Sequence, residues 1–198
     1  MKQMKQLKTT NKREHGGDLS IGRRRSRRIV SVNRPMHVTL RSEFAHSGRC
    51  LLQHQKMISS VILRAASRFH ISVYEKAICG NHLHLLVRGK SRVDIQNFFR
   101  VVAGHIAQNI LKVYPIHPKE KSKPGGAKHA RKNTCKHPKN QRKFWCALIY
   151  SRILSGWGRE FSVVKNYIIK NTLEAIGVIP YQLRSNHYTS PHGAVPSG

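Results

Sequence analysis

Apolar and polar residues alternate along Met36-His37-Val38-Thr39-Leu40-Arg41. Met36, Val38 and Leu40 therefore share one face of an extended segment, and His37, Thr39 and Arg41 share the other. This period of two predicts a half-buried strand, with Pro35 near its start. After Gly48 the period changes. From Leu51 to about Phe69, residues such as Met57, Val61, Ile62, Ala65 and Ala66 return at helical spacing and predict an amphipathic helix. A second strand is predicted over 71–79, a tight turn at Gly80-Asn81, and a third strand over 82–88. Residues 92–113 regain helical spacing through Ile95, Phe98, Phe99, Val102, Ile106 and Ile110. The apolar stretch from Phe144 to Leu154 predicts a fourth strand. A third helix is predicted from about Glu160 to Ala175, and Gly177 suits its stop.

The predicted order is β-α-β-β-α-β followed by a helix. That order implies an α+β fold of the ferredoxin-like split β-α-β type: one antiparallel sheet, both helices on one face, the first and third strands adjacent at its centre. The other face is expected to lie open for binding, with the C-terminal helix as an addition. Residues 29–181 are read as one domain. Residues 1–28 carry many Lys and Arg and few apolar side chains, so a basic, unfolded arm is expected there; a tail is expected over 182–198. Residues 115–143 hold four prolines, Gly125-Gly126 and ten Lys or Arg, the pattern of a long basic loop inserted in the domain.

Charge sharpens the picture. The 198 residues contain 37 Lys and Arg against 8 Asp and Glu, a formal net charge of +29. An acidic small molecule needs only a local positive pocket, so an excess spread this widely points to a polyanion: nucleic acid, or an anionic membrane surface. No apolar run approaches the roughly 18 residues of a spanning helix, and the first thirty residues lack the apolar centre of a secretory signal. Four cysteines do not make a disulfide scaffold at this length. The expected setting is a reducing one, such as a bacterial cytoplasm, in association with the nucleoid.

Three groups of residues could carry chemistry. In His82-Leu83-His84 the two imidazoles are two apart on a strand, so they stand side by side on the face opposite Leu83, Leu85 and Val87 and could chelate one divalent cation. A pair of merely exposed histidines has the same spacing. His37, Thr39 and Arg41 occupy the corresponding face of the first strand and, if the strands are neighbours, lie beside the pair as a phosphate site would; Arg88 ends the third strand. In the last helix Tyr167 and Asn171 share a face, with Lys165 and Lys170 alongside. A tyrosine flanked by lysines forms phenolate more readily and can meet a phosphodiester. An ordinary amphipathic helix could also place its tyrosine there.

Taken in order, Arg34-Pro35-Met36-His37-Val38-Thr39-Leu40-Arg41, Gly80-Asn81-His82-Leu83-His84-Leu85-Leu86-Val87, Phe144-Trp145 and Tyr167-Ile168-Ile169-Lys170-Asn171 resemble the one-tyrosine HUH transposases of the insertion-sequence-200 type. They are most similar to the REP-associated tyrosine transposases, over roughly residues 34–181. The resemblance implies His82 and His84 as metal ligands, Asn171 completing the site for Mg²⁺ or Mn²⁺, and Tyr167 as nucleophile. It implies cleavage and rejoining of single-stranded DNA near hairpins, through a 5′-phosphotyrosine, by a monomer or a homodimer. His37, Thr39, Arg41, Arg88, Lys165 and Lys170 are expected to meet the DNA. The basic insert and the long N-terminal arm depart from the family pattern. Two other readings compete: a noncatalytic or host-adopted nucleic-acid binder on the same sheet, and a zinc knuckle built from Cys135, His137 and Cys146, whose spacing is irregular and which lacks a fourth ligand.

Overall fold

The computed structural model describes residues 13–17, 27–117 and 143–182. The chain order is β1 (Glu14–His15), β2 (Met36–Arg41), α1 (Gln55–Arg68), β3 (Ile71–Ile78), β4 (His82–Gly89), α2 (Arg92–Val113), β5 (Tyr150–Ile153) and α3 (Arg159–Ala175). Two 3-10 turns, Ser47–Arg49 and Leu51–His54, lead into α1. The helix expected from Leu51 thus opens as a tighter coil. The sheet has the order β1-β5-β2-β4-β3, and every neighbouring pair is antiparallel. Setting β1 aside, this is the split β-α-β arrangement that the element order implied, with β2 and β4 side by side at the centre.

Alternation along the strands builds the main core. Met36, Val38 and Leu40 of β2 and Leu83, Leu85 and Val87 of β4 pack with Ile58, Val61 and Ile62 of α1 and Phe98, Val102 and Ile106 of α2. Ser91 caps α2, its hydroxyl accepting the Asp94 N–H. Trp145 is fastened to the same helix, its indole N–H donating to Ala103 O at 2.8 Å.

Three expectations need correction. The face opposite α1 and α2 is not open: α3 packs across β3 and β4 there, and Ile168 closes a second small core with Ala77, Cys79, Leu86 and Leu154. Leu86 is the reason, because it is the one apolar residue on the histidine side of β4 and it needs a cover. The segment 1–28 is not wholly an arm either. Glu14 and His15 pair with Arg152 and Ser151, and Arg28 Nη1 donates to Ile149 O at 2.7 Å and Ser151 Oγ at 2.8 Å. The fourth strand covers only Tyr150–Ile153 of the apolar stretch, because Phe144 and Trp145 turn onto the helices instead. Most of the basic insert and the tail beyond Gln182 lie outside the described residues.

α3 stops as predicted. Gly177 adopts φ +78°, Gly177 N–H donates to Glu174 O at 3.3 Å and Val178 N–H to Leu173 O at 2.9 Å, the paired closure of a glycine-ended helix. β3 carries an irregularity. Val73 faces Val87 and Glu75 faces Leu86, so Tyr74 is a surplus residue bulged out of the ladder. Among the described residues no helix is long and apolar enough to cross a membrane.

Candidate functional site

The register of the three central strands gathers the polar residues. Thr39 lies opposite His84 and Arg41 opposite His82, while β5 sets Tyr150 opposite Thr39 and Arg152 opposite His37. Partners across an antiparallel pair share a face. His37, Thr39, His82, His84, Tyr150 and Arg152 therefore collect on the side that α3 crosses.

His84 is buried and held by two neighbours. Its Nδ1 lies 3.1 Å from His37 Nε2 and 3.1 Å from Thr39 Oγ1, and the His37 and His84 rings stack at 5.2 Å. A proton on Nδ1, donated to either partner, places the ring's lone pair on Nε2. His82 stands edge-on to His84 with centroids 4.8 Å apart. Its Nδ1 is 2.8 Å from Asn81 Oδ1, an oxygen that can only accept, so here too the lone pair falls on Nε2. The turn residue Asn81 thus fixes the tautomer of the histidine it precedes.

α3 brings the phenol. The Tyr167 ring meets His84 edge-on at 5.4 Å and His37 at 5.9 Å. One turn later Asn171 is buried, and its Nδ2 donates to Tyr167 O at 2.6 Å. The donor side of that amide serves the helix, and its oxygen is the atom that can ligate a cation. Cys79 ties this end of α3 to the histidine pair: its N–H donates to His82 O at 2.9 Å and its thiol lies 3.9 Å from Asn171 O. Thr172 Oγ1 donates to Lys76 O at 3.3 Å on the same strand.

The residues expected to meet DNA divide into two sets. His37 and Thr39 turn their polar atoms onto His84. Arg41 and Lys165 are exposed; Lys170 is exposed too but lies 3.7 Å from Glu174 and 3.1 Å from Gln182 Oε1. Arg88 lies at the far end of β4 over the ring of Trp157.

Burial, and after it the Arg152 guanidinium, push the pKa of His37 down to about 4, so this imidazole is neutral near pH 7. Arg152 is itself held by Glu160 at 2.6 Å and Glu14 at 3.8 Å. A second phenol, Tyr150, stands edge-on to His37 at 6.4 Å. Burial first, and then the charge of Glu14 and its hydrogen bond, push the Tyr150 pKa up to about 12 and keep its proton in place. Sequence reasoning passed over Tyr150 and Arg152. The available signal was alternation within 144–154, which needed the register to β2 to be useful.

Among the described residues no three His, Cys, Asp or Glu side chains form a metal-holding group. The two imidazoles of His82 and His84 stand on β4, and the Asn171 amide stands on α3, the helix that crosses it. Cys146 serves elsewhere, its sulfur accepting the Glu43 N–H at 2.7 Å; Cys135 and His137 lie outside the described residues.

Comparison with known proteins bears on this geometry. A solved protein from Deinococcus radiodurans R1, provisionally described as a transposase, aligns over 75% of this chain and 98% of its own at 14% identity, with a TM-score of 0.39. No curated protein matches the chain. The family model described as Transposase IS200 like matches residues 49–126, which take in α1, β3, β4 with both histidines, and α2. Over that segment the chain is similar to the IS200-like transposases, the family that its motifs resemble.

Proposed function

We propose that this transposase-like chain is a single-stranded DNA endonuclease and strand transferase that works through a tyrosine–DNA intermediate at hairpin-bearing ends. The observation that carries the reading is the approach of Tyr167, from a helix about eighty residues further along the chain, to within 5.4 Å of the His84 ring. The finer likeness to the REP-associated enzymes rests on the motifs quoted above.

His82 and His84, each with its Nδ1 engaged, would hold Mg²⁺ or Mn²⁺ through Nε2, and Asn171 would add its oxygen. The cation supplies charge neutralisation and orientation at a phosphate's non-bridging oxygens. The chain's own residues do the rest. α3 aims the phenol along the sheet face. Tyr167 Oη gives up its proton and attacks phosphorus, the bond to the 3′ oxygen breaks, and that oxygen takes a proton. The products are a 5′-phosphotyrosine and a free 3′-OH. One phosphodiester has replaced another, so reversal by an incoming 3′-OH needs no energy source. Tyr150, which keeps its proton, is poorly suited to the nucleophile's part. Exposed Arg41 and Lys165 would meet the strand, and the overall charge of +29 would give the salt-dependent share of binding.

The test is a denaturing gel. Wild type with a hairpin oligonucleotide and Mn²⁺ should give a shifted, covalent band, and Tyr167→Phe should lose it. His82→Ala and His84→Ala should abolish the band while hairpin binding in metal-free buffer persists. Tight binding with no adduct at any end tested would instead establish the noncatalytic binder.

A further inference from the structure

Trp157 lies in the link between β5 and α3, with 47% of its surface exposed. The aromatic residues that hold it are packed: Tyr74 and Phe161 both belong to the small core beneath α3. The indole meets Tyr74 edge-on at 5.1 Å and Phe161 at a tilt of 49° at 5.2 Å, and those two meet each other edge-on at 5.5 Å. The Arg88 guanidinium carbon stands 5.4 Å from the indole centroid. Among the described residues no carboxylate pairs with Arg88. The link is braced by Glu160, which takes the Ser155 N–H at 2.6 Å and the Arg152 guanidinium at 2.6 Å. A wide indole is thus held by two aromatic neighbours with nearly half of it facing water, and an unneutralised cation stands over the ring.

We infer that Trp157 and Arg88 form a stacking platform for one unpaired base of the strand whose phosphate meets Tyr167. The inference rests on the proposed function and adds a subsite to it. Every base has a π face, and inside a duplex that face is covered by the neighbouring pairs, so an unpaired base is the one free to lie on an indole; the nearby cation then serves the attached phosphate. The platform lies on the same side of the molecule as the histidines, since Arg88 and His84 are even-numbered positions of one strand. Four strand residues span about 14 Å, and the six residues from Phe161 to Tyr167 rise about 9 Å along α3. At about 3.4 Å per stacked nucleotide, the base on Trp157 is roughly three or four nucleotides from the reacting phosphate. The bulge at Tyr74 belongs to the device, because the surplus residue puts an aromatic edge against the indole.

Trp145 is the only other tryptophan, so Trp145→Phe isolates the signal of Trp157, and Tyr167→Phe prevents cleavage. Titration of that double variant with a hairpin oligonucleotide bearing single-stranded flanks, without metal, should quench the fluorescence. One abasic position three or four nucleotides from the cleavage point should remove the quenching. Trp157→Leu keeps an apolar side chain without the π face and should weaken binding between about 5-fold and 150-fold; Trp157→Phe should retain most of it. Saturation without quenching overturns the platform, as does an abasic scan with no sensitive position, and the scan does not depend on any Trp157 variant folding. Equal quenching by duplex, or stronger quenching by the same sequence as RNA, overturns the assignment to single-stranded DNA. An adduct on wild type with no fluorescence response removes the platform and leaves strand transfer standing. Quenching with no adduct under any metal does the reverse.

Discussion

The two faces of the sheet are made from alternate residues of the same strands and obey different rules. Toward α1 and α2 the strand positions are aliphatic apart from Lys76 and Ser151, and the packing is continuous. Toward α3 the strands β2, β4 and β5 offer three histidines, a threonine, a tyrosine and three arginines, with one small apolar cluster to hold the helix down. The first face contributes burial. The second accepts less burial and so can place polar groups at fixed distances, because its strands are already held from behind. A site of this kind is affordable only on a sheet whose other side is well packed.

The sharpest way to break the comparison is at two adjacent residues of β4. Leu85 points to the main core and Leu86 to α3, and both are fully buried. Leu85→Ala should cost about 3–5 kcal/mol of unfolding free energy, and Leu86→Ala about 2–3 kcal/mol, because α3 can settle onto the smaller side chain. Urea denaturation measures both. Adduct formation per folded molecule should fall further in Leu86→Ala, the less damaged protein; the opposite ranking would mean that the faces are not functionally distinct.

A smaller effect is expected at the support of His84. His37→Ala removes one of the two groups that engage Nδ1 and should weaken Mn²⁺ binding about 10- to 100-fold with the fold intact, as read by calorimetry. Thr39→Ala in addition should weaken it more than either change alone. Unaltered Mn²⁺ affinity in both variants would remove these two residues from any supporting role.

The smallest effect concerns the brace on the link that carries Trp157. Hydrogen bonds from the Ser155 side chain and backbone, with help from Arg152, hold the Glu160 carboxyl below its ordinary 4.5. A lowered acid contributes stability above its unfolded pKa and loses it as pH falls through the folded value. Wild type should therefore melt no more than about 3 °C above Glu160→Gln at pH 7, and the gap should close as pH falls below the ordinary carboxyl value of 4.5 and through the lowered one. A gap that persists in acid would show that the carboxylate charge is not what holds the link.

The strands and helices of the domain were legible because their periods are clean. His82 and His84 show their common face in the spacing alone, and so do Leu83, Leu85 and Val87. Three features were not legible. β1 is two residues long and sits among basic residues, so nothing local marks it. The cover over the second face was implicit in Leu86, which breaks the polar row by one residue, but a single apolar position does not say which helix will cover it. The bulge is invisible to alternation, since Val73 and Glu75 read as neighbours on one face until the register with β4 separates them. At the candidate site the histidine pair and the phenol could be read as groups, whereas the parts played by Tyr150 and Arg152 depend on strand pairing across distant segments.

The irregularity at Tyr74 also bears on how molecules meet. β3 is one of the two borders of the sheet, and an unbroken border would offer its backbone to any extended chain in the vicinity. A sixth strand arriving there would lose step at the surplus residue after two or three pairings. Self-association by sheet extension is thereby discouraged along this seam, and a two-copy assembly would have to be joined somewhere else.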